Sequence, residues 1–223
     1  MRWQIKRFDE VESTNETAIT FPVDSVVIAA RQTKGRGRYG RRWESPKGNL
    51  YLSAVVGDFG EKTPLLAFVA GVSVAEALSE FKVRLKWPND ILLNGGKLAG
   101  ILLERTNKNS VIIGIGVNVA TAPTQNMMYK TATLNNQIST ADLEERLLKA
   151  LQNNLDLFQN NKFPLIQEKW LSYAEGIGQE IKVNLADRTL VGRFTQLSPQ
   201  GELILETPDK IVHKISAGDV FLI

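Results

Sequence analysis

Gly35-Arg36-Gly37-Arg38-Tyr39-Gly40-Arg41, followed directly by Arg42 and Trp43, is the stretch on which the reading of this chain turns. Glycine lets backbone N–H groups approach an anion closely, and arginine offers forked donors that match carboxylate or phosphate. Such a segment has little propensity for helix or strand. Apolar β-rich runs flank it, residues 26–30 before and 50–56 after, so the loop is expected to join two sheet elements. It reads as an anion clamp mounted on a sheet.

Its charge is concentrated. Between Arg31 and Lys47 there are seven basic residues and one acid, Glu44, whereas the whole chain carries only +3. A nucleic-acid binder usually spreads basic residues over a face, so a small anionic ligand is favoured over a polynucleotide. At 223 residues, 43% hydrophobic and 23% charged, the chain suits one sizeable domain with room for a small appendage. No apolar run reaches membrane-spanning length, and Met1-Arg2-Trp3-Gln4-Ile5-Lys6 lacks the apolar core of a signal peptide. With no cysteine and a single histidine, His213, disulfides, thiolate metal sites and a cysteine nucleophile are excluded, and a zinc site or histidine triad is disfavoured. The chemistry must then rest on Lys, Arg, Asp, Asn and backbone groups, as in phosphoryl or adenylyl transfer assisted by Mg²⁺.

Outward from the loop, residues 3–8 read as a strand. Ser13 and Glu16 fit a capping box opening a short helix that Pro22 closes. Residues 64–81 carry helical periodicity. A meander follows: 83–87, then 91–93, Asn94-Gly95-Gly96 as a tight turn, 97–104, a turn at 107–110, and 111–119. The polar stretch 121–137 gives no clear assignment, and helical patterns cover 141–160 and 164–173. From Ile177 onward, strands at 180–185, 190–197, 202–206, 211–215 and 220–223 are separated by turns. Five strands in so short a span predict a small β-barrel of SH3-like size. The expected architecture is α/β (α+β): a mixed-sheet catalytic domain over residues 1–175 and a barrel over 176–223.

Five segments need a joint explanation: Ser13-Thr14-Asn15, the glycine–arginine loop, Lys86-Trp87-Pro88-Asn89-Asp90, Gly96-Lys97-Leu98-Ala99-Gly100, and Gly114-Ile115-Gly116-Val117-Asn118. In this order and spacing they resemble the biotin–protein ligases, a family that also has a small C-terminal barrel. The resemblance implies two steps. The biotin carboxylate attacks the α-phosphorus of ATP to give biotinyl-5′-AMP and pyrophosphate; a lysine of an acceptor protein then takes the biotinyl group and expels AMP. The residues suit those steps, because carboxylate and triphosphate repel one another and must be held together by fixed positive charge.

Carried over position by position, the resemblance gives Ser13, Thr14, Asn15 and Gln32 to the biotin ring system, with a plain helix cap as the alternative for Ser13. Gly35, Arg36, Gly37 and Arg38 would hold the biotin carboxylate and phosphate, Arg38 retaining the adenylate. Arg41 and Trp43 would border the nucleotide, Trp43 either stacking on adenine or serving as a core anchor. Lys97, backed by a small seat that includes Gly100, is the expected catalytic residue beside the α-phosphate, with Arg38 the second catalytic residue. Lys86 and Asn89 would meet phosphates, and Asp90 would help hold Mg²⁺. Asn118 would line the adenosine side, where Gly114 and Gly116 fit either that role or close backbone packing.

The resemblance further implies a cytoplasmic biotin–[acetyl-CoA-carboxylase] ligase whose partner is a biotin carboxyl carrier domain. Because the pattern begins almost at Met1, a ligase-only form without an N-terminal DNA-binding domain is expected, with no DNA and no membrane partner. Exposed strand edges leave room for a homodimer. Two rival readings are lipoate–protein ligation, although the arginine pair, serine and glycine run typical of that family's ligand loop is missing, and a non-catalytic RNA-binding module using the arginine–glycine loop.

Overall fold

The computed structural model describes residues 3–123 and 130–223. Twelve strands and four α-helices are assigned among the described residues: β1 (Gln4–Phe8), α1 (Thr14–Ala18), β2 (Ser25–Ala29), β3 (Leu50–Gly57), α2 (Leu66–Ala77), β4 (Arg84–Lys86), β5 (Asp90–Leu93), β6 (Gly96–Arg105), β7 (Ser110–Val117), α3 (Thr140–Gln159), α4 (Phe163–Tyr173), β8 (Glu180–Asn184), β9 (Thr189–Leu197), β10 (Leu203–Glu206), β11 (Val212–Ile215) and β12 (Asp219–Leu222).

The first seven strands form one mixed sheet in the order β1-β2-β3-β7-β6-β5-β4. Only β1 and β2 run parallel, joined through α1; every other pairing is antiparallel. The glycine–arginine loop lies between β2 and β3, which are hydrogen-bonded neighbours, so both its anchors are fixed in the sheet centre. After β3 the chain crosses through α2 to the far edge and returns as the meander β4-β5-β6-β7.

The two sheet faces are treated differently by the sequence. Leu52, Ala54, Ile113, Ile115 and Val117 alternate onto one face and join the main core with α2, α3 and α4. Helix α2 is buried nearly all round, and α3 turns Leu143, Leu147, Leu151 and Leu155 inward at helical spacing. On the other face only Val27, Val55 and Ile112 form a small apolar patch, covered by Ala18 of α1 and Phe21. Next to that patch the sheet carries Ser53, Gly114 and Gly116, and this bare area is where the cleft opens.

The expected capping box at Ser13 does not form. Ser13 is the N-cap of α1 but its side chain makes no capping bond. Instead the Thr14 N–H donates to Gln32 Oε1 at 2.8 Å, so a side chain brought in from the β2–β3 connection takes over the cap. A side-chain cap does occur at α3, where the Asp142 N–H donates to Ser139 Oγ at 3.0 Å. Of the polar stretch 121–137, residues 124–129 lie outside the described residues, while 130–132 run beside Lys97, with the Lys97 N–H donating to Lys130 O at 2.8 Å.

The expected C-terminal barrel is corrected to an open sheet. Strands β8 to β12 form a five-stranded antiparallel sheet in the order β11-β10-β9-β8-β12, and no ladder joins its edge strands β11 and β12. The three residues Ser216-Ala217-Gly218 carry the chain from one edge to the other, which curls the sheet, but each edge strand is only four residues long and pairs on one side. Closure would require tilt and stagger that bring a second ladder into register, and local alternation does not specify that. The sheet packs on the rest of the molecule through Phe194, Leu197 and Leu203 in the shared core, and the Trp87 indole donates to Gly201 O at 3.0 Å.

Candidate active site

The cleft, partly open to solvent, lies over the bare face of the mixed sheet. Its floor is made by missing side chains. Gly100 of β6 and Gly116 of β7 are direct cross-strand partners. A Cβ on Gly116 would lie 2.6 Å from Trp43 Nε1, and one on Gly100 3.3 Å from Trp43 Cζ3. The indole of Trp43 therefore rests on two glycines and walls the cleft, and its Nε1 is buried with no hydrogen-bond partner among the described residues. Two residues back along β7, a Cβ on Gly114 would fall 2.2 Å from Asn15 Oδ1, so that glycine seats the Asn15 amide. Gly114 and Gly116 thus take the close-packing role, and both border the cleft.

Lys97 reaches the same face through a bulge. In the β5–β6 ladder, Ile91 pairs with Ala99 but Leu92 with Lys97, which leaves Leu98 as the extra residue. A bulge reverses the alternation locally and re-aims side chains. Lys97 and Gly100 consequently share a side, with Lys97 Nζ 2.6 Å from Asp90 Oδ1 and 5.6 Å from the Trp43 ring centre. Asp90 is the cross-strand partner of Gly100, so the missing side chain there opens the way to its carboxylate.

At the other end, α1 delivers a polar cluster. Thr14 Oγ1 donates to Gln32 Oε1 (3.0 Å), and Gln32 Nε2 donates to Ser45 Oγ (2.9 Å). The Ser53 hydroxyl sits 2.8 Å from Thr14 Oγ1 and 2.6 Å from Asn15 Oδ1. Ser13, Thr14 and Asn15 are all nearly buried and line the cleft together with Gln32. These bonds pre-organise the polar end before any ligand arrives.

The loop closes over the top. Arg38 donates to Asn89 Oδ1 (3.2 Å) and to the Tyr39 hydroxyl (2.8 Å). Asn89 in turn donates to Ile101 O (2.7 Å), which ties the loop to β6 through the turn between β4 and β5. Arg41 pairs with Asp219 at 2.9 Å, so the C-terminal sheet also contributes a carboxylate to the rim. Five basic side chains (Arg36, Arg38, Arg41, Arg42, Lys97) face two acids (Asp90, Asp219) in the cleft.

Of the residues singled out from sequence, Ser13, Thr14, Asn15, Gln32, Arg36, Gly37, Arg38, Arg41, Trp43, Asn89, Asp90, Lys97 and Gly100 are brought to this one cleft. Three stand behind it. Gly35 is a packing glycine, where a Cβ would lie 2.4 Å from Trp43 O. Asn118 follows β7, donating through Nδ2 to Ala132 O at 3.2 Å and through its backbone to Leu98 O at 2.9 Å. Lys86 is half-buried with its Nζ 5.3 Å from the Phe221 ring centre; burial pushes its pKa down, partly opposed by Asp90. Sequence reasoning missed Asp219, for which only long-range contact gives a signal, and Glu104, which accepts from Asn15 and from Arg36. Among the described residues there is no cluster of three or more His, Cys, Asp or Glu side chains suited to a metal, and no helix is long and apolar enough to cross a membrane.

The chain is similar to known proteins over nearly its whole length. It is 34% identical to the bifunctional ligase/repressor BirA of Bacillus subtilis, covering 96% of this chain and 72% of that protein. It is 34% identical to the biotin–[acetyl-CoA-carboxylase] ligase of Paracoccus denitrificans, over 82% of this chain and 84% of the relative. The solved biotin protein ligase of Aquifex aeolicus in complex with biotin and ATP superposes with a TM-score of 0.85 at 30% identity, covering 97% of each chain. Residues 176–223 match the model of the biotin protein ligase C-terminal domain. Residues 8–119, which carry the whole cleft except Asp219, match the model of the biotin/lipoate A/B protein ligase family, and the chain belongs to that family.

Proposed function

We propose that this chain is an ATP-dependent biotin–protein ligase that forms biotinyl-5′-AMP and passes the biotinyl group to a lysine of a biotin carboxyl carrier domain, that of acetyl-CoA carboxylase or a sibling enzyme. The carrying observation is the pairing of two unlike ends in one cleft: an amide-and-hydroxyl cluster at buried Thr14 and Asn15 and half-buried Gln32, backed by Ser53, and a cationic end at Lys97 and Arg38. The cyclic urea of biotin offers two N–H donors and a carbonyl, which suits the first end. The dithiolane of lipoate offers neither, which favours biotin over lipoate.

In the first step a biotin carboxylate oxygen bonds to the α-phosphorus as the bond to the pyrophosphate oxygen breaks. Lys97, held toward the cleft by the bulge, places its ammonium against the charge that grows on the transferring phosphoryl group. Arg36 holds the biotin carboxylate and Arg38 spans carboxylate and phosphate, while Gly37 lets the backbone come close. Arg41 and Trp43 border the nucleotide, and Asn89 orients Arg38. Asn118 supports Lys97 from behind by fixing the strand segment that carries it. In the second step the acceptor amine attacks the acyl carbonyl and AMP leaves with the bonding electrons. Residues 1–175 form the catalytic part, and 176–223 add Asp219 to its rim.

Mg²⁺ fits this donor set only as an ion carried chiefly by the ATP phosphates, because Asp90 alone among the cleft acids neighbours Lys97. Asp90 would hold it, and when bound it would neutralise charge on the leaving pyrophosphate.

The test is biotin-dependent exchange of labelled pyrophosphate into ATP, with lipoate and no-acid controls. Exchange with biotin alone is expected. Exchange with lipoate in its place would overturn the substrate, and none with either would overturn adenylation.

A further inference from the structure

Glu104 stands near the end of β6, two alternations beyond Gly100 and opposite Ile112 of β7, on the same sheet face as the cleft floor. Its two oxygens serve different parts of the site. Oε2 accepts from Asn15 Nδ2 at 2.7 Å, and Oε1 accepts from Arg36 Nη2 at 3.3 Å.

The first bond settles which way the Asn15 amide faces. Asn15 is nearly buried, with Oδ1 taken by the Ser53 hydroxyl at 2.6 Å and Nδ2 by the Glu104 carboxylate. A flipped amide would set its oxygen against that carboxylate, so the charge allows one orientation only. The second bond is of another kind. Arg36 and Glu104 are 41% and 35% exposed at a long 3.3 Å, and such a pair adds little to stability. What it does is hold a half-exposed arginine side chain of the loop toward the floor.

We propose that Glu104 is a positioning residue for biotin, orienting the Asn15 amide for the urea ring and restraining Arg36 above it, so that the floor and the loop share one carboxylate. The proposal rests on the ligase reading given above. It assigns Glu104 an effect on biotin affinity with little effect on ATP, because its partners are two biotin contacts, Asn15 at the urea end and Arg36 at the carboxylate, while the phosphate end is held by Lys97, Asp90 and the Asn89–Arg38 pair.

The experiment compares wild type, Glu104→Gln and Glu104→Ala in the exchange assay, separating KM for biotin, KM for ATP and kcat, with Tm measured alongside. Glu104→Gln keeps the shape and an acceptor but loses the charge, and should raise KM for biotin about tenfold, the loss of one charge-assisted hydrogen bond. Glu104→Ala should raise it further, while KM for ATP and Tm stay near wild type. Adding Arg36→Gln to Glu104→Gln should raise KM for biotin by less than Arg36→Gln does alone. An unchanged KM for biotin in both Glu104 variants of an active enzyme would overturn the positioning role. So would KM for both substrates rising together with a fall in Tm, the mark of a merely structural residue. Wild type inert with biotin would overturn the ligase reading itself, a failure visible before any variant is made.

Discussion

The cleft floor and the tip of the loop above it both depend on glycine, but for opposite reasons. On the floor, Gly100, Gly114 and Gly116 sit in strands, and each is needed because something else occupies the space of its side chain, as at Gly35 in the base of the loop. At the loop tip, Gly40 has φ +70° and nothing within 4 Å of where a Cβ would be, so it is needed for its backbone. The charges divide the same way. Lys97 is 14% exposed and fixed by strand register, whereas Arg41 is 46% exposed and paired with a rim carboxylate from another sheet. The floor is built once, at folding; the loop is held by contacts weak enough to be exchanged for a ligand's anions.

The sharpest way to break this comparison is to remove the floor cation. Lys97→Ala should lower kcat for biotin-dependent exchange by roughly 10²–10³-fold, the usual cost of one preorganised charge at a reacting centre. A loss of less than about tenfold would mean that the loop arginines carry the chemistry. Next comes the space itself. Gly116→Ala drives a methyl into the Trp43 indole, which must tilt into the cleft. Exchange should weaken by up to about 10²-fold through misplacement, with only a small change in Tm. Unaltered kinetics would show that Trp43 is no part of the working wall.

A third prediction concerns pH. Tyr51, opposite Gly116 on β3, is buried with its hydroxyl donating to Pro46 O at 2.8 Å, and burial pushes its pKa up to about 12. The folded form keeps the proton longer than the unfolded chain, so stability is intact below pH 10 and is lost as pH rises toward 12. The loss is on the order of 2 kcal/mol. Denaturant titrations across that range should show this slope, and Tyr51→Phe should flatten it; an equal slope in the variant would assign the effect elsewhere. The smallest change is expected at the rim. Asp219→Asn removes the exposed partner of Arg41 and should shift Tm by no more than about 2–4 °C. A larger shift would make the rim as firmly built as the floor.

These regions also differ in how legible they are in the sequence. The loop is plain because its composition is unusual and contiguous, and the meander after it follows from tight-turn signals at Asn94-Gly95 and Asn109. The floor is half legible: glycines at 114 and 116 repeat with the strand period, which marks one face as bare, but what fills the gap comes from α1 and the loop. The bulge at Leu98 left a trace, since Leu98 and Ala99 are both buried where alternation allows one. The capping box failed because Gln32, distant in sequence, supplies the acceptor first. Barrel closure failed because strands and turns are local whereas the pairing of two edges is not. Asp219 reaches Arg41 across 178 positions, beyond any local signal.

The indole resting on paired glycines gives the protein an optical reporter of its own. Trp87 and Trp170 are sealed in the core at 3% and 2% exposure, and Trp3 packs against it. Trp43 alone among the four borders the cleft, under the Lys97 ammonium. Occupancy of the site should therefore be readable as a change in steady-state emission, with no label attached and before any bond is made.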